Sequence, residues 1–258
     1  MKRNNFSAFA LVITATCGIA HAGVITFNEA ACQSGAVTTS AITCSTSVAG
    51  VTSTATLSAW SAPTSTKFAA ASMSYYPSYG IGISSAGETT TSPQHAVDNS
   101  GNTEAFLINF NSANFALNQL SLGWLSGDAD VSILRYTGAT APTLSSRTVA
   151  DLKSATGWDF VGNYANLSTS TPLNFNTTGT VKTASWWLVS AYNSGYSGLA
   201  PSGNLSNGDD YFKLSGFGGN IVPPATVPGN TVPEPGTFAL LGVAVLGFAA
   251  ARRRSKAK

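Results

Sequence analysis

Residues 106–111 of the chain read Phe-Leu-Ile-Asn-Phe-Asn, a run in which every second side chain is large and apolar. A β-strand has this period of two when one of its faces packs on a core. Residues 120–124, Leu-Ser-Leu-Gly-Trp, repeat the pattern. The two runs predict strands, the first of which turns Leu107, Asn109 and Asn111 away from the core.

Short apolar runs bounded by Gly, Asn, Ser and Pro continue on both sides of this centre, and only residues 146–155 suggest a helix. Gly127-Asp128 indicates a hairpin between residues 120–124 and the next run. The pattern predicts an all-β protein with a single jelly-roll-like β-sandwich domain at residues 23–217. Further strands are predicted at 24–27, 130–136, 158–164, 185–192, which is apolar on both faces and therefore central, and 211–214.

Charged residues make up only 9% of the chain, against about 25% in an ordinary soluble domain. Seven of the 13 Lys and Arg residues lie in the two termini. Residues 23–236 therefore hold six cations and all 11 carboxylates, a net charge of −5. So sparse and acidic a body argues against a nucleic-acid binder, which needs clustered cations to displace counterions from phosphate.

The N-terminus has the parts of a secretory signal peptide. Two cations precede an apolar run from Phe6 to Ile19, and Ala20-His21-Ala22 places small residues before a cut at Gly23. We predict that residues 1–22 direct export through the Sec machinery and are removed by signal peptidase; an uncleaved anchor is the alternative. His95 is then the one histidine of the mature chain.

Cys32 and Cys44 are the two cysteines that remain after this cleavage. In an oxidising compartment an even number of cysteines favours a disulfide, and closing so short a loop stabilises the fold by about 3 kcal/mol in the chain-entropy model. Free buried thiols are the alternative. Zinc is disfavoured because it requires four ligands and the nearest other candidate, His95, stands alone.

The C-terminus is also tripartite, over residues 232–255. It opens with Pro233, Glu234 and Pro235, whose prolines hold the backbone extended and stop a helix from continuing. The apolar run 238–251 follows and is predicted to be a single transmembrane helix. Its 14 residues span about 21 Å, so bilayer thinning and snorkelling would have to match it to a core of about 30 Å. A buried core helix is the alternative.

The third part of the tail is the basic cluster Arg252, Arg253 and Arg254. After the apolar run of an exported chain, this cluster keeps the tail in the cytoplasm by the positive-inside rule and acts as a membrane stop. The Pro- and Gly-rich residues 218–231 are predicted to form an extended linker between the domain and the membrane.

This tripartite tail resembles the PEP-CTERM sorting signal, in which a Pro-Glu-Pro motif precedes a membrane-spanning helix and a basic end. The resemblance implies that exosortase, a membrane transpeptidase, recognises Pro233, Glu234 and Pro235 and cuts near them. It also implies an exported protein of a Gram-negative bacterium. Such a protein passes through an inner-membrane intermediate, reaches the cell surface or the extracellular space, and associates with exopolysaccharide.

Three polar clusters carry the candidate chemistry, at residues 93–102, 123–130 and 207–210. Taken alone, each is typical of turns, because Asn and Asp bond their own backbone and Gly supplies positive φ. Carboxylate and amide oxygens are also the ligands that Ca²⁺ prefers. We therefore hold a calcium site as a candidate, with His95 orienting its ligands from the second shell. The candidate metal ligands are Asp98, Asn99, Asp128 and Asp130.

Residues 95–99, His-Ala-Val-Asp-Asn, resemble the His-Ala-x-Asp-Asn motif of a family of exosortase-dependent surface proteins. Further blocks extend the similarity over residues 90–215. That family has no established biochemical activity to carry over, so the resemblance implies a class and a location only.

Two function classes stay open. The first is a non-catalytic binding or structural module, in which an exposed ring such as Trp187 or Tyr79 would stack on sugars. The second is a secreted polysaccharide-acting hydrolase, since two-carboxylate glycoside hydrolysis needs only suitably separated acids. A serine hydrolase is disfavoured because the chain has no Gly-x-Ser-x-Gly elbow. The candidate acids are Glu88, Glu104, Asp128 and Asp159.

Overall fold

The computed structural model of the chain describes residues 23–223, except 33–37, 64–65, 89–92 and 94. The predicted signal peptide, the sorting motif and the predicted transmembrane helix lie outside the described residues. Within the described part of the chain, no helix is long and apolar enough to cross a bilayer.

β-Structure dominates the described residues. They contain one short α-helix, α1 (Val149–Leu152), and two 3₁₀ turns, Glu29–Cys32 and Ser194–Tyr196. The strands are β1 (Ile25–Asn28), β2 (Thr38–Thr39), β3 (Ala41–Val48), β4 (Val51–Pro63), β5 (Ala69–Tyr76), β6 (Gly80–Ser84), β7 (Val97–Asp98), β8 (Asn102–Asn109), β9 (Phe115–Leu125), β10 (Val131–Tyr136), β11 (Trp158–Tyr164), β12 (Leu173–Asn174), β13 (Trp186–Ala191) and β14 (Tyr211–Ile221).

The strands form one curled antiparallel sheet, in the order β11-β10-β13-β8-β4-β5-β6-β14-β9-β12. The sheet curls until its two halves face each other across the main core. The ring of Phe110, at the end of β8, is 5.9 Å from that of Phe217 on β14. The all-β prediction is confirmed, but one curled sheet takes the place of the two separate sheets of a sandwich, because β5 pairs with both β4 and β6.

β8, which contains most of the alternating run at residues 106–111, is buried on both faces. Phe106 and Ile108 lie in the main core between the halves of the sheet. Leu107 lies in a second, smaller core, where Leu152 of α1 and Leu134 of β10 pack near it. The prediction that Leu107 faces away from the interior is therefore wrong, because the segment after β10 covers this outer face.

The predicted central strand is confirmed, since β13 pairs with β8 on one side and β10 on the other. The hairpin predicted at Gly127-Asp128 is wrong. β9 pairs with β14 and β12, whereas β10 pairs with β13 and β11. The turn instead carries the chain from one half of the curled sheet to the other.

The helix predicted over residues 146–155 is shorter than expected. α1 begins after Thr148, whose hydroxyl accepts a hydrogen bond from the Asp151 N–H. The Asp151 carboxylate accepts one from the Thr148 N–H in return, which completes a capping box. The cap is therefore Thr148 rather than a preceding serine.

The linker predicted from residue 218 begins later, because β14 continues to Ile221 and the compact unit ends at Val222. β1 and β9 flank β14 on its two sides. A Cβ on Gly219 would stand 1.9 Å from the carbonyl oxygen of Ala116 on β9. Gly219 therefore belongs to a strand that packs closely against its neighbour, and not to the predicted extended linker.

The predicted disulfide joins Cys32, in the first 3₁₀ turn, to Cys44 on β3. Both residues are buried in the main core. The bond therefore ties the N-terminal turn to the edge of the curled sheet in which β3 pairs with β4.

Replacing both cysteines, Cys32→Ala with Cys44→Ala, is expected to lower the free energy of unfolding by about 3 kcal/mol, because the unfolded chain loses a cross-link. Urea unfolding of the oxidised wild type and of the double variant measures the difference. Reductant should shift the wild type by a similar amount and leave the double variant unchanged. An oxidised wild type that is insensitive to reductant would contradict the stabilising role.

Candidate functional site

The start of β14 brings the three predicted polar clusters together. β7 pairs with it, so that Asp98 lies opposite Tyr211, and Asp128 forms a parallel bridge with Asp210. The acidic side chains nevertheless fall into two groups. We name them the glutamate group, which is Glu88, Asp98 and Glu104, and the aspartate group, which is Asp128, Asp130 and Asp210.

In the glutamate group, one carboxylate oxygen of each residue lies within 4.8 Å of the other two. Glu104 is 0% exposed and Asp98 is 3% exposed. The Ser100 N–H donates to Asp98 Oδ1 at 2.9 Å, the Asp98 N–H donates to Glu104 Oε2 at 3.3 Å, and the Ser85 hydroxyl donates to Glu88 Oε1 at 3.0 Å. The buried oxygens Glu88 Oε2 and Glu104 Oε1 have no hydrogen-bond partner among the described residues.

The glutamate group brings three carboxyl groups together with few cations near them. Burial raises the pKa of Asp98 to about 7, although the Ser100 N–H lowers it. Burial raises the pKa of Glu104 well above its ordinary value, and the charges of Asp98 and Glu88 act in the same direction. Within the described ranges, His95 is the one basic side chain at ion-pairing distance from the group, with Nδ1 3.8 Å from Glu88 Oε2.

His95 lies at the edge of this group in an unusual backbone conformation, with φ of 62°. Its Nδ1 contacts the Ser84 hydroxyl as well as facing Glu88. A Ser-His-acid relay needs the serine on one ring nitrogen and the acid on the other. Because both partners here face Nδ1, the contacts orient the ring and do not form that relay.

In the aspartate group, the carboxylates accept hydrogen bonds from backbone N–H groups. Asp210 Oδ1 accepts the Asp130 N–H at 2.5 Å. Asp130 in turn accepts the Asn166 N–H at 2.8 Å and the Ser206 N–H at 3.0 Å, one on each oxygen. The Asn99 amide donates to Asp210 Oδ2 and accepts the Asp210 N–H at 3.0 Å. The group thus joins several loops to the start of β14.

Burial also changes the protonation of the aspartate group. It raises the pKa of Asp210 to about 8, although the hydrogen bond from Asp130 lowers it. Burial raises the pKa of Asp130 as well, against the hydrogen bonds from Asn166 and Ser206. The folded protein therefore favours a proton in this group.

The predicted calcium site does not form as one set of ligands. Asp98 belongs to the glutamate group, next to which His95 lies. Asp128 and Asp130 belong to the aspartate group, and Asn99 is hydrogen-bonded to the same group through Asp210. The residues separate because Asp98, at the end of β7, and Asn99, which follows the strand, have their side chains in different surroundings.

Glu104 and Asp210 are not among the metal ligands predicted from the sequence. A signal for Glu104 exists, since it precedes Phe106 by two residues and therefore shares the core-facing side of β8. An acid on the buried face of a strand is unusual enough to mark it. Asp210 follows an Asn-Gly-Asp turn, and only the pairing of β14 with β7 shows that its side chain is buried.

The four candidate hydrolase acids are dispersed. Asp159 is ion-paired with Arg135 at 2.9 Å and Lys182 at 3.1 Å. Although its burial acts to raise the pKa, the hydrogen bonds from these two cations outweigh that effect and lower it. Glu104 lies beside Glu88 but is fully buried, so it does not present its carboxyl to a polymer at the surface.

The two aromatic candidates for sugar stacking also separate. Trp187 is 0% exposed and belongs to the core, so its predicted role at the surface is wrong. Tyr79 is 53% exposed. Three residues before Tyr79 is Tyr76, and the Lys213 ammonium lies 4.7 Å from the ring centroid of Tyr76 and 3.9 Å from that of Trp124.

Residues 231–254 match the PEP-CTERM protein-sorting motif. The predicted recognition of the tail is confirmed. The motif implies that exosortase processes the chain and that the chain is exported to the cell surface. The match does not extend to residues 95–99, whose resemblance stays a prediction. The chain matches no curated protein and no solved structure.

Stability should fall as the pH rises from about 4 to 8, because folded Asp210 keeps a proton up to a pKa of about 8 that the unfolded chain releases near 3.8. Asp210→Asn removes this titration, so the stability of the variant should fall less than that of the wild type between pH 5 and 8. The difference should approach about 4 kcal/mol, because one proton is released over about three pH units at about 1.4 kcal/mol each. Urea unfolding across this range measures both slopes.

Asp209→Asn is the matched control, because it removes the same charge from the exposed neighbour in the same turn. It should keep the pH slope of the wild type. Equal slopes for the wild type and Asp210→Asn would show that Asp210 is ionised in the folded protein at low pH.

Proposed function

We propose that the chain is an exported, exosortase-processed protein of the cell surface or extracellular matrix. Its β domain acts as a non-catalytic binding or structural module associated with exopolysaccharide. The sorting motif at residues 231–254 carries this proposal. In the proposed route, signal peptidase removes residues 1–22 and the apolar run 238–251 holds an inner-membrane intermediate. Cutting near Pro233, Glu234 and Pro235 then releases the domain.

The domain itself suits an extracellular setting. The buried Cys32–Cys44 disulfide persists in an oxidising compartment. With its two halves facing each other across one core, the curled sheet offers the sandwich-like architecture expected of a rigid surface module. Its low charge leaves a surface solvated by Ser, Thr and Asn, whose hydroxyl and amide groups suit contact with hydrated polymers.

The exposed ring of Tyr79 supports the assignment of a binding role. Aromatic faces stack on the apolar faces of sugar rings, and a ring that is exposed is available to do so. The carbonyl oxygen of Tyr79 lies only 2.5 Å from where a Cβ on Gly123 would be. The backbone of Tyr79 therefore lies against β9 at Gly123, the residue before Trp124.

Changing the motif by Pro233→Ala, Glu234→Ala and Pro235→Ala together should block processing, because it removes the signal that exosortase reads. Cell fractionation with intact-mass measurement is the test. Wild-type chain should begin at Gly23, end near the motif and leave the membrane, whereas the variant should keep its tail and remain membrane-bound. A variant with Pro223→Ala and Pro224→Ala is the control. Equal release of all three would contradict the proposal.

Tyr79→Ala should weaken binding to the producing cell's own exopolysaccharide by about tenfold, the usual scale for loss of one stacked ring. Co-sedimentation with the purified polymer measures this. Leu199→Ala is the control, since it also removes an exposed apolar side chain. Absence of binding by the wild type would favour a passive coat protein, and release of reducing sugars would identify the alternative hydrolase.

A further inference from the structure

We propose that Glu88, Asp98 and Glu104 bind a calcium ion. This site is not the calcium site predicted from the sequence. Of the four ligands predicted there, it contains Asp98 alone. It does not depend on the sorting route or on exopolysaccharide binding. Its ligands come from the segment after β6, from β7 and from β8, so one ion would join three neighbouring parts of the sheet.

The observation that carries the proposal is the carboxylate of Glu104. The side chain is 0% exposed and lies on the core side of β8, but its Oε1 is buried without a hydrogen-bond partner in the described part of the chain. Burying an ionised carboxylate oxygen without a hydrogen-bond or ionic partner greatly lowers the stability of the folded protein. The buried oxygen Glu88 Oε2 also has no hydrogen-bond partner in the described part of the chain. Two such oxygens in one cluster of carboxylates are acceptors that a cation could bind.

The spacing of the three carboxylates fits one ion. Calcium–oxygen distances are about 2.3–2.6 Å, so two oxygens on opposite sides of the ion are at most about 5 Å apart. One oxygen from each residue already falls within 4.8 Å of the other two. Calcium suits the group better than a softer metal, because all three ligands are carboxylates and its coordination geometry is tolerant.

Ion pairing inside the protein does not satisfy this charge. His95 lies 3.8 Å from Glu88 through the ring nitrogen that also contacts Ser84. Elsewhere in the described chain, the ion pairs with Lys or Arg involve Asp159. A divalent ion would neutralise most of the charge that the three carboxylates carry.

The aspartate group provides an internal comparison. There the oxygens of Asp130 and Asp210 accept N–H donors from Asn166, Ser206, Asn99 and Asp130 itself. Carboxylates that accept hydrogen bonds from backbone N–H groups in this way stabilise the conformation of the loops that donate them. The glutamate group differs because two of its buried oxygens, Glu88 Oε2 and Glu104 Oε1, accept no hydrogen bond from the described residues.

A proton shared between Glu88 and Glu104 is the competing explanation, because it also lets two buried carboxylates lie together. The two differ in their response to calcium. A shared proton needs no metal, and calcium would then neither bind nor stabilise the folded protein. Isosteric amide substitutions separate them, since Glu104→Gln keeps the shape and removes one ligand charge.

The test uses the chain purified from the exporting cell, freed of metal with EGTA and titrated with calcium chloride. Calorimetry should give one site per chain, and Tm should rise by about 5 °C or more when free calcium exceeds Kd a hundredfold. Glu104→Gln should weaken binding by at least about tenfold and lose most of the Tm rise. Glu88→Gln provides a second variant if Glu104→Gln does not fold.

Asp128→Asn, in the aspartate group, is the matched control and should bind calcium as the wild type does. The proposal is overturned if the metal-free wild type binds no calcium, or if Glu88→Gln and Glu104→Gln bind as tightly as the wild type. It is also overturned if Asp128→Asn abolishes binding, because that result would place the ion in the aspartate group.

Discussion

Carboxylates buried in a body with few cations are the constraint on which the rest of this structure depends. The domain has too few Lys and Arg to pair with them, and Asp159 alone takes both Arg135 and Lys182. Burying a charge without a partner is costly, so each remaining acid must be protonated, hydrogen-bonded or bound to a cation. The fold uses backbone N–H groups for Asp130 and Asp210. It leaves Glu104 with an open oxygen.

The curled sheet explains why these acids are buried at all. β8 is covered on both faces, by the opposite half of the sheet and by the segment that contains α1. A side chain at either parity of that strand is therefore interior, including Glu104. β14 is paired along both of its edges, with β1 on one side and β9 on the other. Gly219 allows the close approach of β14 to β9. The two central strands thus set the surroundings of both acidic groups.

The sorting signal and the residues of the candidate binding sites lie in different parts of the chain. The motif at residues 231–254 carries the sorting information, and the domain carries the disulfide, the exposed Tyr79 and the acidic groups. A rigid domain with calcium-dependent stability would suit a protein that folds after export, because calcium is plentiful outside cells and scarce within them. The calcium outside the cell would then stabilise the folded domain in the place where it acts.

The sequence alone determined the features that depend on local order along the chain. The tail is recognised by three parts in sequence, the all-β class by alternation in runs such as 106–111, and the disulfide by the two cysteines of residues 23–236. Only the tertiary structure decided which strands pair and which acids meet. Asp98 and Asn99 are adjacent in sequence but enter different groups, while Asn99 meets Asp210 across 111 positions. Such contacts follow from non-local strand pairing and register, which one-residue patterns do not encode.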